Sequence, residues 1–206
     1  MTEDPFKEIK EQPYPLFTAP RPYSFDLNED MVNMIREEFN ADAVCGKLVE
    51  AIGDKAGDDA EKAAEDLFTE LGEKWMRKTI QLGEEYSDRT IEMVLETVDR
   101  KGEQFLLFPH VPQRFVEIAY LSTQELMKVP MVLNNTTTLA YRIPQCTLFS
   151  KIKENSGEEI ANLMTCKRYC LTALDTIRKH TDLDVLIDQK ASTATDGFCE
   201  FSMKKI

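Results

Sequence analysis

The 206-residue chain has no stretch approaching the roughly 18 uninterrupted apolar residues of a membrane span, which argues against a transmembrane protein. Its opening, MTEDPFKEIKEQ, lacks the basic run and the apolar run of a secretory signal, so a cytoplasmic protein is expected. There is no Gly-rich phosphate loop, no H-E-x-x-H and no G-x-S-x-G, which leaves nucleotide hydrolysis and serine-hydrolase chemistry without support. Basic residues are scarce: 25 Lys and Arg stand against 37 Asp and Glu, a net charge of -12. Such a chain repels phosphate backbones and anionic lipid, so neither nucleic acid nor a membrane surface is an expected partner. The length is enough to bury a sizeable core without disulfides or a structural metal.

What charge there is falls unevenly. Residues 105 to 206 sum to +1, leaving -13 on residues 1 to 104. An acidic, solvated helical region therefore precedes a nearly neutral one with the composition to enclose a cavity, although acidic helices also serve simply to keep a protein soluble. Five of the nine prolines lie in residues 1 to 27, interleaved with Phe6, Tyr14, Phe17, Tyr23 and Phe25. Proline removes a backbone donor and disfavours helix before it, so this segment reads as an extended arm packed on the body or on a second subunit of a homodimer.

From Asn28, a candidate N-cap, Met31, Met34, Ile35, Val44, Leu48 and Ile52 recur at helical spacing, and Gly53 closes the helix. A second helix carries Ala60, Ala64, Leu67, Leu71, Trp75 and Leu82 on one face. Ser87 reads as the cap of a third, which runs through Ile91, Val94, Leu95 and Val98 to Lys101-Gly102. Beyond Gly102 the pattern changes. Phe105 to Phe108 is a short apolar run, and Phe115 to Leu121 reads as a strand, although so short a run does not exclude a helix. Met131 to Leu133 and Thr137 to Ile143 flank Asn134-Asn135 as paired strands. Helices follow at Leu148 to Asn155 and Glu158 to His180. Val185 to Ala194 and Phe198 to Lys204 flank Thr195-Asp196-Gly197, a hairpin signal. The expected class is α+β, with N-terminal helices, then an antiparallel sheet with helices on one face, ending in a β-hairpin. The chain divides accordingly into an arm (1–27), an acidic helical region (28–104) and an α+β small-molecule-binding region (105–206).

Five cysteines in an intracellular chain do not make a disulfide framework. Cys45 sits among apolar residues as a small core side chain. Cys166 and Cys170, four apart on a helix, project from one face, while Cys146 ends a strand and Cys199 follows the hairpin turn. Three readings are open. The four thiols hold zinc or an iron–sulfur cluster; one of them is a nucleophile activated by a cation or a helix terminus; or all are buried small hydrophobes. There is no C-x-x-C pair to favour metal. Of the two histidines, His110 lies between prolines in FPHVPQR, where it could act as acid, base or ligand with Arg114 holding a carboxylate, or be a surface loop residue. His180 ends a helix, where it complements the dipole.

Y-R-I-P-Q-C at 141 to 146, C-K-R-Y-C at 166 to 170 and D-G-F-C-E-F at 196 to 201 resemble the L-2-amino-thiazoline-4-carboxylic acid hydrolase family. The resemblance covers residues 105 to 206 and, more loosely, the helix pair from Asp59. That family in turn is similar to the vinyl-reductase-type ligand-binding domains, whose closing hairpin carries Glu and Cys side chains able to hold a structural zinc beside a small-molecule pocket. Their final Cys falls on Cys199, their Glu on Asp188 and their middle Cys on Ala191, so one expected ligand is missing and Cys166 or Cys170 would have to supply it. The hydrolase resemblance implies opening of a small ring that carries a carboxylate. Cys146 or Cys199 would then be the essential thiol, Asp196 or His110 would handle the proton, and Arg142 or Arg114 would bind the carboxylate. Three functions follow as expectations: a cysteine-dependent hydrolase, a non-enzymatic small-molecule or metal-binding module, and a subunit that docks a larger complex through its arm.

Overall fold

Asn28 opens the first helix as its sequence predicts, its side chain accepting the Met31 N–H at 3.1 Å. The computed structural model describes residues 27–102, 107–163 and 166–206, the side chains at 163, 166 and 167 excepted; all of the arm but Leu27 lies outside these residues. The helix expected from 28 to 52 is two, α1 (Glu29–Phe39) and α2 (Ala41–Ile52). Asn40 makes the break by capping both. Its Nδ2 donates to the Arg36 carbonyl (2.8 Å) while its Oδ1 accepts the Ala43 N–H (2.9 Å), satisfying orphan groups of two helix ends with one amide.

Helix α3 (Asp58–Glu85) buries the predicted stripe of Ala60, Ala64, Leu71, Trp75 and Leu82. At Gly72 it meets a later helix, α7 (Cys166–His180), so closely that a Cβ there would stand 2.3 Å from the Tyr169 carbonyl oxygen. Only glycine permits that approach. Helix α4 (Arg89–Lys101) is capped by Asp88 rather than by Ser87. The Asp88 carboxylate accepts the Thr90 and Ile91 N–H groups, and Ser87 turns the chain at φ +47. Gly102, left-handed at φ +67, ends α4 as predicted.

The expected strand over 115–121 is instead the middle of helix α5 (His110–Thr123). From Arg114 to Ser122 every residue is buried. A helix covered on all sides carries no amphipathic stripe, and its apolar run imitates a strand.

Strands β1 (Met131–Asn134) and β2 (Thr138–Ile143) pair as expected, followed by α6 (Thr147–Leu163), which Gly157 (φ +87) breaks between its two parts. Helix α7 leads into β3 (Val185–Ala191), a single helical turn α8 (Thr193–Asp196), and β4 (Cys199–Lys205). The Asp196-Gly197 pair therefore closes a helical turn, Gly197 being its left-handed C-cap, rather than forming a two-residue hairpin. All pairings are antiparallel, in the order β1-β2-β4-β3, with bulges between Met131 and Leu133 and between Gln189 and Ala191. The architecture is α+β. Leu139, Tyr141, Ile143, Phe201 and Met203 point from the sheet into one core shared with Val32, Phe68, Trp75, Phe115 and Ile177 of the helices. That core runs through both the acidic and the neutral regions of the chain. No described helix is long and apolar enough to cross a membrane.

Candidate functional site

A ladder of rings crosses the core where helices meet sheet. Trp75 of α3 stacks on Tyr169 of α7 (4.9 Å between centroids, 13°) and meets Tyr120 of α5 edge-on (5.2 Å). Tyr120 meets Tyr141 of β2 (5.5 Å), and Tyr141 meets Phe201 of β4 (5.6 Å). Such pairs prefer these offset and edge geometries, each adding about 0.5–1.5 kcal/mol beyond burial.

Beside the ladder lies a narrow cavity with a free volume of about 20 Å³, room for roughly one water molecule. Trp75, Tyr120, Tyr169 and Phe201 form its aromatic walls; Ile143 and Leu148 complete the apolar lining. Three thiols, Cys146, Cys170 and Cys199, also line it, and Gln124 supplies an amide. Among the described residues no charged side chain takes part. The indole N–H of Trp75, wholly buried, has no hydrogen-bond partner among the described residues, an omission that proteins ordinarily avoid.

The elements around the cavity place the three thiols differently. Cys146 precedes α6, and the Phe149 N–H donates to its Sγ at 3.4 Å, the position of a helix N-cap. Cys146 also lines an outer groove with Gln145, Phe149, Ser150, Lys153 and Thr193, which neither Cys170 nor Cys199 reaches. The Sγ of Cys199 accepts the Thr193 N–H (3.3 Å) and lies 3.0 Å from the Thr193 hydroxyl. Cys170 faces inward from α7. Burial, aided by the neighbouring Cys199, pushes its pKa well up, although the Tyr120 hydroxyl pulls the other way, so it is a neutral thiol at pH 7. Burial likewise raises the phenols of Tyr120, Tyr141 and Tyr169. Cys45 packs in the core away from this site, its Sγ 3.6 Å from the Asn155 amide nitrogen.

Comparison with protein-family models, curated proteins and solved structures finds no match for this chain. Its chemistry has to be read from its own residues.

Of the four thiols whose convergence the sequence left open, three meet at the cavity; the Cys166 side chain lies outside the described residues. Among the described residues no group of three or more His, Cys, Asp or Glu side chains is arranged to hold a metal ion. Asp188 and Ala191, aligned with ligands of the vinyl-reductase-type hairpin, stand on β3, where Asp188 is exposed and pairs with Lys190.

The polar residues expected to serve the thiols lie elsewhere. His110 is exposed at the start of α5 and is not part of the cavity lining. Arg114, one turn on, is buried in an ion cluster. Its Nε and Nη2 reach the Asp88 carboxylate (3.0 and 2.7 Å), and its Nη1 reaches Glu117 (3.3 Å). Burial opposes its charge, but the bonds to Asp88 and the two carboxylates outweigh it and raise its pKa. Arg142 forks onto Glu200 (3.1 and 2.7 Å) with its guanidinium 4.2 Å from the centroid of the Phe198 ring. Asp196 is exposed. Hydrogen bonds from the Thr195 hydroxyl and the Ser192 N–H lower its pKa, so at neutral pH it is a carboxylate rather than an acid.

Sequence reasoning missed Trp75, Tyr120, Gln124 and Tyr169 as site residues. Trp75, the chain's one tryptophan, was legible as a large side chain on a buried stripe. Tyr120 sat inside a strand-like apolar run, Gln124 in the polar stretch after it and Tyr169 within a helix-like segment, and none of them gave a sign of a cavity.

Proposed function

We propose that this protein is a small-molecule-binding module whose ligand is uncharged, flat and mostly apolar, and occupies the cavity between α3, α5, α7 and the sheet. The observation that carries this reading is that, among the described residues, the lining is neutral and the Trp75 N–H has no partner. A carboxylate placed there would lose its hydration with no cation to replace it. A neutral molecule with one acceptor for the indole N–H would bury apolar surface and satisfy that donor. The present free volume admits little more than a water, so binding entails outward movement of the walls, with Gln124 and Cys146 at the rim.

Because the chain has a single tryptophan in the cavity wall, its fluorescence reports on the site directly. Titration with neutral heteroaromatic compounds and with their carboxylated analogues tests the reading. Neutral members should shift the emission, and Trp75→Phe should weaken their binding by calorimetry. Tighter binding of the carboxylates would sink the proposal.

A second reading, the cysteine-dependent hydrolase implied by resemblance to the thiazoline-carboxylate family, is favoured by the Phe149 N–H donated to Cys146 Sγ at the start of α6. Backbone donors and a helix N-terminus stabilise a thiolate. This reading requires a carboxylate anchor, and both candidate arginines are engaged by carboxylates of the protein itself. Loss of turnover in Cys146→Ala with the fold retained would move it ahead of the binding module.

A further inference from the structure

We infer that Cys146 and Cys199 form a dithiol pair that a hydroperoxide converts into a disulfide at the mouth of the cavity. The topology brings them together. Ile143 on β2 is the register partner of Cys199 on β4, and Cys146 follows Ile143 by three residues. Both thiols line the same narrow cavity. Thr193 connects them from the other side, bonding the Cys199 Sγ through its N–H and hydroxyl while lining the outer groove with Cys146.

The two positions suit different halves of the reaction. Cys146 meets solvent-borne reagents first, since it borders the outer groove, and its Sγ accepts a backbone N–H at a helix start, where thiolate is favoured. Its thiolate attacks the terminal oxygen of the hydroperoxide. A sulfur–oxygen bond forms as the oxygen–oxygen bond breaks, the alcohol (water, from hydrogen peroxide) leaves with a proton, and the sulfur loses two electrons to become a sulfenic acid. The Cys199 thiol then attacks that sulfur. A sulfur–sulfur bond forms, the sulfur–oxygen bond breaks, and the hydroxyl departs as water with the Cys199 proton. Cys170 is the competing resolving thiol: it lines the same cavity, but not the outer groove that Cys146 shares with Thr193, the residue bonded to Cys199.

This inference goes beyond the binding reading and does not need it, because the bond is read without any ligand. Tryptic cleavage places Cys146, Cys166, Cys170 and Cys199 on separate peptides, 143–151, 154–167, 169–178 and 191–204. The full-length protein is treated with hydrogen peroxide, blocked with iodoacetamide, digested without reductant and examined by mass spectrometry. The expected product joins peptides 143–151 and 191–204 with loss of two hydrogens. It should persist in Cys170→Ser and vanish in Cys199→Ser, where dimedone should instead label peptide 143–151 as the trapped sulfenic acid. A link from Cys146 to Cys166 or Cys170 in the wild-type protein overturns the pairing. So does full alkylation of Cys146 and Cys199 after peroxide, or over-oxidation of Cys146 with no link. The wild-type measurement decides the matter even if a variant fails to fold.

Discussion

The two ends of helix α5 bury polar chemistry in opposite ways. Near its start Arg114, Asp88 and Glu117 bring three formal charges into the interior, each side chain about 6% exposed. Two turns on, Tyr120 and Gln124 face a cavity whose described lining holds thiols, phenols and an indole but no charge. Charge is tolerated at the first end because every guanidinium face finds a carboxylate, and a pair so placed is costly only when one member is removed. The second end presents no such partners among the described residues, which is why the ligand proposed for it is neutral. Burial alone does not decide what a site accepts; the fixed partners already in place do.

Breaking the charged end should have the largest effect. Arg114→Met leaves Asp88 and Glu117 unpaired, with an expected loss of about 3–5 kcal/mol in denaturant unfolding. Most of that should return in the triple variant Arg114→Met, Asp88→Asn, Glu117→Gln, in which asparagine still caps α4. If the triple variant is no more stable than the single, the charges are not the reason for the loss.

Cys170→Asp puts a lone carboxylate at the neutral end. Its folded-state pKa must lie above the unfolded value, because burial disfavours the charge. The destabilisation is therefore small in acid and grows as pH rises through the unfolded pKa, reaching about 3 kcal/mol at neutral pH. Unfolding curves at pH 4 and pH 8 that shift equally would show that the cavity end accepts charge after all.

Gly72→Ala sharpens the comparison by moving a wall without adding polarity. Its Cβ would collide with the Tyr169 carbonyl, forcing α3 from α7 at a cost of about 1–3 kcal/mol. The fluorescence of Trp75, stacked on Tyr169, should shift as the walls part. The smallest effect is expected of Gln124→Ala, which leaves the Thr147 N–H without the Oε1 it meets at 2.8 Å. The loss should be about 0.5–1.5 kcal/mol by the same unfolding assay.

How legible each feature was in the sequence follows from how local its cause is. The caps at Asn28 and Gly102, the break at Gly157 and both strand pairs depend on neighbours a few residues away, and they stand where the pattern put them. Helix α5 was read as a strand because its cause is not local: it is buried all round by elements from both halves of the chain. The sequence left open whether Cys146, Cys170 and Cys199 meet; only their placing on three separate elements was readable. What surrounds them was not, since Trp75 and Tyr169 come together only through the close approach at Gly72, nearly a hundred residues away in sequence from Tyr169. Arg114 shows the same limit. A basic residue four positions after a histidine suggests an anion site until Asp88, 26 residues earlier, is seen to occupy it.

The bulges of the two outer strands bear on how copies of this protein can meet. β1 and β3 form the edges of the described sheet, and each has its ladder interrupted, between Met131 and Leu133 and between Gln189 and Ala191. A bulge twists an edge and spoils the row of donors and acceptors that an incoming strand would read, and the Lys190–Asp188 pair adds charge to β3. Such edges resist extension into a continuous intermolecular sheet. Among the described residues, a homodimer contact would fall to side chains on the helices or on the outward face of the sheet, leaving the four-stranded ladder as it is.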